Sequence, residues 1–191
     1  MEAVNNNINN RSKVHPYVIA IWIACAAIVM MFAAFTSAYI VRKGAGNWLE
    51  FKLPTQFIYN TFVILLSSVT MQIAYNSYKK GNYKLYKFSL VITLILGIVF
   101  SIIQYSGWKS LDSVGVTLTG NPAGSFIYVI PGIHLAHLIG GIFALILACF
   151  HAFTLPEKYS ETRKVRLEVT TTYWHFVDFL WVYLILFFIY N

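Results

Sequence analysis

The stretch "TYWHFVDFLWVYLILFFIY", Thr172–Tyr190, is almost wholly apolar and aromatic, yet His175 and Asp178 stand three positions apart inside it. A helix needs roughly 20 consecutive apolar residues to cross a bilayer, and a run like this one reads as such a span. Working outward, four more stretches have the same character. The spans are expected at about Tyr17–Val41, Phe57–Tyr78, Phe88–Tyr105, Phe126–Phe153 and Val169–Tyr190. Of the 191 residues 58% are hydrophobic and only 11% charged, where a soluble domain would carry about a quarter charged. Spanning strands would alternate in ~10-residue segments, which these do not. The fold class is therefore all-α, a polytopic membrane protein built as a bundle of five transmembrane helices.

The remaining chain is short and polar. Residues 1–15 are Asn-rich and predict a disordered tail. The first apolar run is far longer than the h-region of a signal peptide. No extramembrane segment could bury a core of its own, so residues 16–191 form one domain. Its longest loop is expected at Ser106–Ser125. The net charge is +7, and the placement of the cations matters more than their sum. The tail and the second and fourth loops hold Arg11, Lys13, Lys79, Lys80, Lys84, Lys87, Lys158, Arg163, Lys164 and Arg166. The first and third loops hold only Arg42, Lys43, Lys52 and Lys109. This bias puts the N-terminus inside and the C-terminus outside. The basic clusters fit anionic lipid, and with no soluble module to present them they do not indicate nucleic acid. Cys25 and Cys149 lie in separate spans and read as buried thiols.

Inside the spans, the residues that could carry chemistry are few. His134 and His137 are neighbours at i and i+3 on the fourth span. At 1.5 Å per residue, His134 lies roughly 25–30 Å above the inner end of its helix. His175 lies below ~10 Å on its own helix, which separates the two in depth, whereas His151 and His175 read as level. Ligation of a catalytic metal usually takes three protein side chains, so a small membrane metalloenzyme would have to use His151, His175 and Asp178. On the last helix Glu168, Thr172, His175 and Asp178 form a polar stripe about a third of the circumference wide. Ionisable groups at such depth face protein or water and are usually paired. The stripe reads as polar glue between helices or as a contact for lipid headgroups or a partner. Gly132, Ala136, Gly140, Ala144 and Ala148 recur every four residues, with Ala27, Ala34 and Ala38 a weaker version on the first span. Small residues at this spacing predict close helix packing.

One signature is more specific. Glu168 is followed by Tyr173, Trp174, His175, Phe176, Val177, Asp178 and Trp181, a pattern that closely resembles the final helix of cytochrome c oxidase subunit III. Gly132, His134, His137 and Gly141 resemble that family's Gly-x-His-x-x-His-x-x-x-Gly stretch. "MFAAFTSAYI" (Met31–Ile40) and "LLSSVT" (Leu65–Thr70) are similar to its earlier helices. The full-length family has seven helices, so the chain resembles the short five-helix bacterial form. Where the family commonly has a buried Ser-Glu pair, this chain has Ala27 and Ile28, and that glutamate's role does not carry over. The resemblance implies a non-catalytic subunit III of a proton-pumping haem–copper terminal oxidase in a bacterial cytoplasmic membrane. It implies contacts to subunit I, with subunit II in the same complex and a respiratory supercomplex as a further partner. It implies no cofactor in this chain, haem and copper in the partner subunits, and bound phospholipid supporting sustained proton uptake. The polar stripe of Glu168, Thr172, His175 and Asp178, with Trp174 and Trp181 of the signature, is the expected lipid or partner contact, and Gly132, His134, His137, Gly140 and Gly141 are expected to pack helices. A subunit-III-like protein of a quinol oxidase or nitric oxide reductase remains the alternative within the family.

Overall fold

A computed structural model describes residues 15–156 and 158–191. Of the expected tail, residues 1–15, all but His15 lies outside the described residues, and His15 is the N-cap of the first helix. Five helices follow in order: α1 (Pro16–Gly44), α2 (Thr55–Lys79), α3 (Tyr83–Ser113), α4 (Pro122–Thr154) and α5 (Glu161–Tyr190). All five are long and apolar enough to cross a membrane. Their starts are written in local chemistry. Pro16 and Pro122 open α1 and α4, where a missing backbone N–H costs nothing. Asn121 caps α4 by accepting from the Ala123 N–H at 2.9 Å, and Asn82 caps α3 through the Leu85 N–H at 3.2 Å. Gly81, at φ +74°, makes the reversal between α2 and α3 in a three-residue connection.

The helices overrun the apolar spans. The third was expected at 88–105 and extends to Ser113, so the expected loop Ser106–Ser125 shrinks to residues 114–121. Leu111 is fully buried, and Tyr128 donates its hydroxyl to the Trp108 carbonyl at 3.0 Å, so this extra segment packs although it is not apolar throughout. The fifth helix starts at Glu161 rather than 169, because its basic first turns still bury Leu167 on one side.

In the bundle α5 is central, touching α1, α2 and α4, while α2 pairs most closely with α3. Among the most apolar residues of α5, 44% are buried, against 11% for α1, which is the peripheral helix. The end that carries Lys79, Lys158, Arg163 and Arg166 is termed the basic end. At the opposite end Tyr39 sits edge-on to Trp48, Phe126, Phe187 and Phe188, joining α1, α4 and α5. There Lys43 also donates to the Asn191 carbonyl.

The stripe of small residues does not make the packing face that its spacing suggests. Ala136 and Gly140 are exposed, as are Ala27, Ala34 and Ala38 on α1. A side chain built at Gly140 would meet nothing nearer than the Tyr173 hydroxyl at 3.9 Å, and one at Gly132 nothing nearer than Trp108 at 3.9 Å. The close approaches are at Gly141 and Gly97. A Cβ at either would lie 3.1 Å or 2.9 Å from the Trp174 ring. One large indole, held between two glycines on different helices, sets the spacing of α3, α4 and α5.

Candidate functional site

The signature of α5 divides over three environments. Trp174 and Trp181 point into the core with no exposed surface. The Trp174 indole N–H donates to Ser67 Oγ at 3.0 Å, and that of Trp181 to Thr61 Oγ1 at 3.2 Å. Trp181 stacks parallel to Phe57 and lies edge-on to Phe100, with the His134 ring 5.1 Å away. α2 therefore supplies a hydroxyl for each buried indole, as a nitrogen donor at low dielectric requires.

His175 turns toward α2 instead. Gln72 gives its Nε2–H to Asn76 Oδ1 at 3.2 Å, which leaves Gln72 Oε1 facing His175 Nε2 at 3.0 Å. An amide oxygen can only accept, so Nε2 carries the imidazole proton. In the neutral ring Nδ1 is then an acceptor, and Ser68 Oγ donates to it at 2.6 Å. The result is a polar seam, Ser68–His175–Gln72–Asn76, along the α2–α5 contact. Asp178 is only 3% exposed. Ser68 lies beside its carboxyl but gives its hydroxyl to His175, and neither Asp178 oxygen has a hydrogen-bond partner among the described residues. The expected pairing thus holds for His175, through α2, and not for Asp178. Glu168 and Thr172 are half-buried, nearer the basic end.

On α4, His134 is fully buried, and neither ring nitrogen has a partner among the described residues. His137 Nδ1–H donates to the Ile133 carbonyl at 2.8 Å, and Tyr173 donates its hydroxyl to the His137 carbonyl at 2.9 Å. The register of the two helices corrects the depth argument. His134 lies against Trp181 and Gly141 against Trp174, so His175 stands opposite Gly140. That is only about 9 Å along the axis from His134 and about 16 Å from His151. His134 and His175 are close in depth but face different neighbours, and His151 is not level with His175. A metal site built from His151, His175 and Asp178 is therefore not formed. Among the described residues no three His, Cys, Asp or Glu side chains group as metal ligands.

A feature with no counterpart in the sequence reading lies at the basic end. A cavity of about 880 Å³ opens between the start of α1, the end of α4 and the start of α5. Ala20 and Ile21 of α1 face Ala144, Leu147 and Ala148 of α4 across it, and His151, Arg163 and Arg166 line its polar part. Two of the stripe alanines, Ala144 and Ala148, therefore border open volume on one side. Sequence reasoning also missed Thr61, Ser67, Ser68 and Gln72. The run of hydroxyls and amides on an otherwise apolar α2 is the signal that could have found them.

Residues 43–191 match the sequence profile of the family Cytochrome c oxidase subunit III. The chain is 27% identical over 185 residues to a probable cytochrome c oxidase subunit 3 of Mycobacterium leprae, covering 94% of this chain and 90% of that protein. It is 29% identical over 170 residues to the protein of the same name in Nocardia farcinica, covering 85% and 80%. It is 25% identical over 162 residues to a cytochrome c oxidase subunit 3 of Corynebacterium diphtheriae, covering 81% and 78%.

Proposed function

The chain belongs to the cytochrome c oxidase subunit III family, and on that premise we propose that it supports a proton-pumping haem–copper oxidase without a catalytic centre of its own. As a subunit III it is an accessory part of a multi-pass oxidoreductase complex. The haems and copper belong to partner subunits, subunit I is its direct neighbour, and subunit II sits in the same complex. The complex lies in a bacterial cytoplasmic membrane, with the chain's basic end inside, as its cations favour. The observation that carries this reading is the family match over 43–191, which spans four of the five helices.

The geometry suits a supporting role. The two tryptophans of the signature are hydrogen-bonded inside the chain's own core and lock α5 to α2, α3 and α4. The polar seam of Ser68, His175, Gln72 and Asn76 lies at the margin of the bundle, where an adjoining subunit or lipid headgroups would meet it. The cavity at the basic end combines apolar walls with Arg163 and Arg166, as a bound phospholipid requires. Affinity purification through a tag on this chain tests the proposal. The expected result is a complex containing subunits I and II with haem absorbance. Removing this chain should leave initial turnover intact and shorten the time over which activity is sustained. Recovery of the chain without any haem-bearing subunit would overturn the proposal.

A further inference from the structure

The polar seam between α2 and α5 has a direction. Asn76 and Gln72 are exposed at its margin, His175 and Ser68 are half-buried, and Asp178 is buried. From the margin inward, each group fixes the next. Gln72 Nε2–H donates to Asn76 Oδ1, Gln72 Oε1 accepts from His175 Nε2–H, and His175 Nδ1 accepts the one hydroxyl hydrogen of Ser68. Ser68 therefore has nothing left to donate to the carboxyl beside it. Both Asp178 oxygens are enclosed and lack a donor among the described residues. No Lys or Arg stands on α2 between residues 55 and 78 or on α5 between 167 and 190. A carboxylate here would be a bare charge at low dielectric, among the costliest groups a membrane helix can hold. A neutral carboxyl has an O–H to give, and a free lone pair of Ser68 Oγ is there to accept it.

We infer that Asp178 is a proton-binding site, held as the neutral acid at the head of a one-way hydrogen-bond chain from Asp178 through Ser68, His175 and Gln72 to Asn76. The inference rests on α2 and α5 alone and needs no partner subunit. It gives the buried carboxyl its missing hydrogen bond and explains the tautomer of the histidine one turn before it. A carboxylate would reverse every bond: Ser68 would turn to Asp178, His175 would carry its hydrogen on Nδ1, and both amides would rotate. The proton on a buried group is thus expressed in the orientation of the exposed Asn76 amide, about 12 Å along α2 from Ser68. Asp178 acts through Ser68 on His175 and is a positioning residue.

The test uses the intact complex purified through this chain and returned to lipid bilayers at neutral pH. Infrared spectra of the wild type minus Asp178→Asn should contain one carbonyl band of a protonated carboxyl, moved to lower wavenumber by D2O and by carbon-13 aspartate. Ser68→Ala removes the acceptor and should shift that band upward without abolishing it, which covers the case of an Asn variant that does not assemble. Nitrogen-15 magnetic resonance on histidine-labelled complex reads the tautomer, with the His175 signals assigned by their loss in His175→Phe. It should show hydrogen on Nε2 and none on Nδ1. Asp178→Asn should keep that tautomer, because its amide N–H donates to Ser68 in place of the acid. Carboxylate bands alone in the infrared difference would overturn the site. A band that Ser68→Ala leaves in place would overturn the bond to Ser68. Hydrogen on Nδ1, with or without hydrogen on Nε2, would overturn the direction of the chain.

Discussion

Substituting single glycines of α4 tests the indole clamp most directly. An alanine at Gly141 would set its Cβ 3.1 Å from two carbons of the Trp174 ring and 3.3 Å from the Tyr173 ring. Trp174 cannot withdraw, because it is fully buried and tied to Ser67 by its indole N–H. Overpacking of this kind costs about 1–3 kcal/mol. The neighbouring Gly140 has 3.9 Å of clearance to the nearest heavy atom, so Gly140→Ala carries no such strain. Both substitutions gain the same helical preference of alanine over glycine, about 1 kcal/mol. That gain cancels in the comparison, which isolates the strain. Gly141→Ala should therefore be less stable than Gly140→Ala by about 1–3 kcal/mol, or roughly a factor of 5 to 150 in the folding equilibrium. Gly97→Ala, at 2.9 Å from the far edge of the same ring, should behave like Gly141→Ala. The assay is denaturation by sodium dodecyl sulphate in mixed micelles, followed by tryptophan fluorescence. Equal midpoints for the two α4 variants would refute the clamp and restore the every-fourth-residue stripe as the packing face.

Three further outcomes are expected. Asp178→Asn, which keeps hydrogen-bonding capacity, should retain more of the chain in the oxidase than Asp178→Leu, with initial turnover unchanged. Abolished initial turnover in a fully assembled Asn variant would instead make the carboxyl an obligatory proton carrier. His175→Phe should remove the hydrogen-bond partner of the half-buried Ser68 and of the exposed Gln72, at a net cost of about 1 kcal/mol for each bond lost. The measurement is the thermal midpoint of subunit release, and an unchanged midpoint would mean that water already satisfies both groups. A reporter fused after Asn191 should be active only outside the cytoplasm, and cytoplasmic activity would reverse the orientation given by the cations.

The five spans were legible in the sequence because each helix must satisfy its own backbone hydrogen bonds in lipid, whatever its neighbours are. Length and hydropathy alone therefore locate it. The signature from Glu168 to Trp181 was legible for a different reason: it is a dense run of unusual residue types on one helix. The faces and the register were not legible. Lipid tails and protein core are equally apolar, so hydropathy does not tell which side of α1 or α4 meets another helix. The stripe of Gly140, Ala144 and Ala148 thus resembled a packing face, while the real contact ran through Gly141 one position away. Depth suffered likewise: distances measured from each helix's own end set His134 far from His175. Only the seating of Trp174 against Gly97 and Gly141, and of Trp181 against His134, brought those levels together. Side-chain shape at the contact fixes how far one helix slides along another. That shape match, between residues far apart in the chain, exists only once the helices are packed.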